Sequence, residues 1–73
     1  MGNYNYTISI IENNKIERLN YTDKKAVVEV YNTMCIVASY HINDIYGIQL
    51  WQHAKNKTID NDPHARIIKQ YYK

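Results

Sequence analysis

The chain has no phenylalanine, one proline, two glycines and one cysteine in 73 residues. The single cysteine, Cys35, allows no internal disulfide, so no covalent cross-link staples the fold. No apolar run approaches the ~18 residues of a membrane span. The opening "MGNYNYTISI" has no charged region followed by an apolar one, so it does not read as a signal peptide. Tyr6 also stands where a myristoylation pattern needs Ser or Thr. Asn-x-Thr sequons at Asn5, Asn20 and Asn56 then read as chance matches, and the expected compartment is a reducing cytoplasm. No repeat, linker or low-complexity block divides the chain, so residues 1–73 are expected to form one domain.

What is present is a 45% apolar composition in which eight tyrosines replace phenylalanine as the bulky residue. Tyrosine suits half-buried sites, because its ring packs while its hydroxyl reaches a polar partner. So small a chain buries only about 60% of its unfolded surface, and its core is thin. The net charge is +2. Residues 51–73 carry more than all of it, with Lys55, Lys57, Arg66, Lys69 and Lys73 against Asp60 and Asp62, while residues 23–50 are net acidic. This is weaker than the basic stripe of a dedicated nucleic-acid binder, and it is opposite to an acidic DNA mimic.

The first expected element is a hairpin. "YNYTISII" and "IERLNY" are strand-like and flank "ENNK". A two-residue type I′ turn at Asn13-Asn14 sets Glu12 against Lys15, Ile11 against Ile16, Ser9 against Arg18, Ile8 against Leu19, Thr7 against Asn20 and Tyr6 against Tyr21. Apolar residues meet apolar ones and polar meet polar, a match that a one-residue slip would destroy. Thr22 or Asp23 then caps a helix over about residues 23–41. Ala26, Val27, Val30, Tyr31, Met34, Val37, Ala38 and His41 share one arc of it, about 140° wide. Two strands, "AVVEVY" and "CIVASYH", are the alternative to this helix. Asn43 is expected to end the helix in a left-handed conformation.

Residues 45–53 read as a third strand, with Tyr46, Ile48 and Leu50 on one face and Gly47, Gln49, Trp51 and His53 on the other. It is placed beside the first strand, in the order 2-1-3, with an uncharged outer edge open to further pairing. "DPHARIIKQYYK" starts like a helix, with Asp62 as cap and Pro63 at the first position. A fourth strand, "ARIIKQYY", is the alternative. The expected fold is thus a small α+β domain of β-β-α-β type. It has a three-stranded sheet, one main helix on one face, and a C-terminal helix or fourth strand.

Two surfaces stand out. On the sheet face away from the helix, Trp51, Gln49, His53, Arg18 and Asn20 form an aromatic anchor among polar groups, as a protein-binding hot spot does. The competing expectation is that Ile67, Ile68 and Tyr71 of the tail fold over Trp51. On the helix, Val28, Tyr31, Asn32, Cys35 and Ser39 form a stripe that reads as a partner or dimer surface. Lys55, Lys57, Arg66 and Lys69 are candidate phosphate contacts, for weak and salt-dependent binding. Cys35, His41, His53 and His64 match no zinc spacing, and no carboxylate pair is placed for acid–base chemistry. No metal, cofactor or catalytic residue is expected.

In size, composition and ββαβ style, "NYTISIIENNKIERLNYTDKKAVVEVY" resembles the small accessory proteins of phages and mobile elements in AT-rich Gram-positive bacteria, such as anti-CRISPR-type inhibitors. That resemblance implies a non-enzymatic protein that binds and blocks a host protein, alone or as a homodimer. It carries no functional residue across. The alternative expectation is a small nucleic-acid-binding regulator that uses Arg18, the basic tail and Trp51.

Overall fold

The computed structural model describes residues 3–40 and 43–73. Strand β1 (Tyr4–Glu12) and strand β2 (Ile16–Tyr21) form the hairpin, and helix α1 (Lys24–Ala38) follows. Strand β3 (Ile45–Ala54) and strand β4 (Arg66–Tyr72) complete a four-stranded antiparallel sheet of order β2-β1-β3-β4. Both β2 and β3 run antiparallel to β1, so they are parallel to each other, and α1 connects them past the central strand.

The hairpin register is the one the side-chain pattern demands, from Ile11 opposite Ile16 to Tyr6 opposite Tyr21. Its turn differs. No described residue has a positive φ, so Asn13-Asn14 is not type I′. The Glu12 N–H still donates to the Lys15 carbonyl at 2.9 Å, because a two-residue loop sets the register whatever the sign of φ.

Helix α1 begins at Asp23, whose carboxylate accepts the Ala26 N–H at 2.9 Å. Such a cap satisfies an otherwise unpaired donor and contributes about 1 kcal/mol. The helix ends at Ala38 rather than near residue 41. Asn43 closes it with its side chain, donating to the Val37 carbonyl at 2.8 Å and accepting the Ile45 N–H at 3.2 Å, and not with a left-handed backbone. The placement expected for His41 lies outside the described residues.

One face of the sheet carries α1. Tyr6, Ile8, Ile10, Ile48 and Leu50 pack there against Val27, Tyr31 and Ala38. Ile68 and Tyr71 of β4 join that cluster. Two placements are corrected. Ile45, not Tyr46, supplies the buried side chain at the start of β3, because a bulge opposite Ile11 and Glu12 shifts the alternation. Val37 is exposed, because the helix turns Tyr31, Val28 and Cys35 towards the core instead.

The tail is a strand, not a helix. Asp62 does not cap a helix; its carboxylate accepts the N–H of Ala54 at 2.8 Å and of His64 at 2.9 Å, which anchors the turn into β4. The open edge of β3 is filled by the chain itself.

Candidate protein-interaction surface

Strand alternation decides which residues reach the sheet face without a helix. Arg18 and Asn20 come from β2, Thr7 and Ser9 from β1, and Gln49, Trp51 and His53 from β3. In β4 the register puts Tyr72 opposite Gly47, Gln70 opposite Gln49 and Ile67 opposite Trp51. The face therefore assembles all five residues singled out from the sequence and adds three from β4. Tyr72 and Gln70 follow from alternation once residues 66–72 are a strand, whereas Ile67 joins them only because a bulge opposite Leu50 and Trp51 shifts the register; a helical reading of that segment hides all three.

Trp51 is half-buried and held by its neighbours. Its indole Nε1–H donates to Gln49 Oε1 at 3.0 Å, and Gln49 Nε2–H donates to the Tyr72 hydroxyl at 2.7 Å. The Tyr72 ring lies close against Gly47. A Cβ at Gly47 would sit 2.7 and 2.8 Å from two carbons of the Tyr72 ring and 3.4 Å from Ile11 Cδ1. The glycine is needed for this close approach, not for an unusual backbone angle. The result is a Trp–Gln–Tyr platform fixed by its own hydrogen bonds.

The other end of the face is closed. His53 is only 5% exposed, with Nε2 2.8 Å from Thr7 Oγ1 and Nδ1 3.0 Å from the Ala54 carbonyl. Thr7 Oγ1 also donates to Asn20 Oδ1 at 2.8 Å. His53 is thus a buried linker between strands and not a surface contact. The β3–β4 connection reaches from this end to the middle of the face, since Asp60 of that loop pairs at 2.7 Å with Arg18, which lies across the buried Ser9 from Gln49. Asn5 Nδ2 holds the same loop at the Lys55 carbonyl, at 3.2 Å. The Ala54 and His64 amides at Asp62, the former foremost, hold its carboxyl below the usual carboxylate range. The tail does not fold over Trp51: Ile67 stands beside it, while Ile68 and Tyr71 belong to the opposite face.

The helix stripe is not an outward surface. Tyr31 is 6% exposed, and Val28 and Cys35 pack against the core, leaving Asn32 and Ser39 outside. Burial first, then the hydrogen bond to Cys35, pushes the Tyr31 hydroxyl far above its ordinary range. The exposed apolar residues of α1 are Ile36 and Val37, followed by Tyr40 just beyond its end.

The basic residues do not converge. Lys55 and Lys57 are exposed on the loop, whereas the register sets Arg66 opposite Gln52 and Lys69 opposite Leu50, on the helix-bearing side. Arg18 faces the other way and is already paired. Among the described residues no three His, Cys, Asp or Glu side chains gather as metal ligands, and no pocket forms. No helix among them is long and apolar enough to cross a membrane. Comparison with protein families, curated proteins and solved structures returns no match to this chain.

Proposed function

We propose that this chain is a non-enzymatic protein-binding module that occludes a partner's surface with the Trp51–Gln49–Tyr72 platform. This is the mode of action implied by its resemblance to small phage and mobile-element inhibitors. The observation that carries the proposal is the platform itself. A large aromatic residue sits on the face that no helix covers, and side-chain hydrogen bonds hold it in place. Immobilising a free side chain on binding costs about 0.5–1.5 kcal/mol, and a platform ordered beforehand avoids much of that cost. Tyr72 remains 49% exposed and Ile16, on the same face, is exposed as well, so apolar area is available to bury. A flat surface without a pocket suits a macromolecule better than a small substrate. The nucleic-acid alternative has less support, because its arginines and lysines are divided between the two sides of the sheet.

The test is parallel capture from a lysate of the bacterial host. The baits are wild type, Trp51→Ala, Tyr72→Ala and a Lys55→Ala/Lys57→Ala control, each first shown to be folded by circular dichroism. The expected result is one protein retained by wild type and control, and weakened at least about tenfold by either aromatic truncation. A partner that tolerates both truncations but is lost with the lysines, or whose retention depends on nucleic acid, overturns the proposal.

A further inference from the structure

We propose that the outer edge of β4 accepts an extended acidic segment of a partner as a fifth strand, with carboxylate and apolar side chains alternating along it. This edge is distinct from the open face, and the inference does not depend on the role proposed for Trp51.

The backbone supplies the first argument. β4 is last in the sheet, so only one of its flanks is paired among the described residues. The Lys73 N–H donates to the Tyr46 carbonyl at 2.9 Å. Antiparallel hydrogen-bonded pairs recur at every second residue, so Tyr71 and Lys69 also turn their backbone towards β3. Gln70 and Tyr72 then turn theirs outward, and both are exposed. Such a row of free donors and acceptors is a template for strand addition.

Charge selects the occupant. From Arg66 to Lys73 there are three basic side chains and no Asp or Glu. Arg66 and Lys69 stand on the helix-bearing side, and neither has an ion-pair partner among the described residues. The Lys73 ammonium is occupied, donating to the Tyr40 carbonyl at 2.8 Å and to Asn43 Oδ1 at 3.3 Å. The other side of β4 presents Ile67, Gln70 and Tyr72, without charge. Arg66 and Lys69, three residues apart, share a side because a bulge between Ile67 and Lys69 shifts the alternation of β4, and an added strand must pair across that bulge as β3 does. It therefore needs carboxylates facing Arg66 and Lys69, and apolar side chains facing Ile67 and Tyr72. A second copy of β4 paired about Lys69 or Tyr71 would bring cations against cations, which is destabilising. The residues that guard this edge against self-pairing thus favour an acidic strand. The opposite edge has no such preference, because β2 mixes Glu17 with an Arg18 already bound to Asp60.

The experiment titrates two synthetic peptides of about eight residues, a strand-length segment, into the isotope-labelled full chain, followed by amide NMR. One alternates Glu with Val and the other Lys with Val. The Glu peptide is expected to move β4 amide signals, with affinity falling as salt rises, and the Lys peptide to move none. Gln70→Pro removes an outward N–H while sparing the β3 ladder and should abolish binding. Arg66→Glu/Lys69→Glu should reverse the preference, by at least about tenfold for each peptide. No binding of the Glu peptide, binding unaffected by Gln70→Pro, or shifts confined to the surroundings of Trp51 would overturn the inference. If the proline variant does not fold, the charge-reversal variant decides, and an unchanged preference there refutes it.

Discussion

The two faces of this sheet are built from the same strands by different physics. On the helix-bearing face Ile8, Ile48 and Leu50 are fully buried and hold α1 by apolar contact. On the open face Thr7 and His53 are almost as buried, yet they are held by hydrogen bonds to one another and to Asn20. One face needs volume and shape; the other needs partners at the right distance. The second also carries apolar groups at its surface, Tyr72 and Ile16 among them, and there they are set in a polar frame. A core face gains little from polar positioning, whereas a binding face needs it to fix its anchor.

Substitutions on the two faces should therefore behave differently. Leu50→Ala on the helix-bearing face leaves a cavity and should cost about 2–5 kcal/mol, read by urea denaturation. For a chain of this size that approaches the whole stability, so a cost under about 1 kcal/mol would break the contrast. Gly47→Ala on the open face should cost less, about 1 kcal/mol, because the Tyr72 ring that it strikes is exposed and can swing away. Its clearer signature should be local: loss of the Gln49–Tyr72 hydrogen bond and a changed Trp51 emission, with the core unaffected. Asp62 gives a pH test. Its carboxyl is held below its unfolded value, so the stabilisation is present above the unfolded pKa and is lost as pH falls through the folded one. Melting temperatures followed from about pH 5 down to about pH 2 should fall less steeply in Asp62→Asn than in wild type. The smallest effect is expected for Arg18→Ala. Its ion pair with Asp60 is solvent-exposed, and its loss should change stability by no more than about 1 kcal/mol. It should nevertheless loosen the loop over His53, seen as faster amide exchange there.

How legible each part was depends on how far apart its partners lie in the chain. The hairpin could be read to the residue, since Ile8 with Leu19 and Thr7 with Asn20 match across a short turn. The start of α1 was legible too, because Asp23 caps a donor only three residues away. The helix's rotation was harder: Val28 and Cys35 are apolar enough for either side, and only packing against the sheet turned them inward. The segment "RIIKQYY" was ambiguous for a related reason. Its apolar pairs suit one side of a helix or both sides of a strand, and "DP" before it imitates a helix start. The candidate surface inherited that ambiguity. Trp51, Gln49, Arg18 and Asn20 were visible from alternation in β2 and β3, but Tyr72 was not.

By itself, then, the sequence determined the hairpin register and the face on which Trp51 lies, and it favoured an α+β fold with a helix capped at Thr22 or Asp23 over two further strands. Each follows from hydrogen bonding or side-chain periodicity among near neighbours. The tertiary structure decided that residues 66–72 are a strand, that Tyr72 rests on Gly47 beside Gln49, and that Asp60 reaches Arg18 across two strands. Those outcomes depend on which groups remain unpaired once the other elements have met. The edge of β3 offered backbone partners that a short helix could not use, and strand pairing satisfied both.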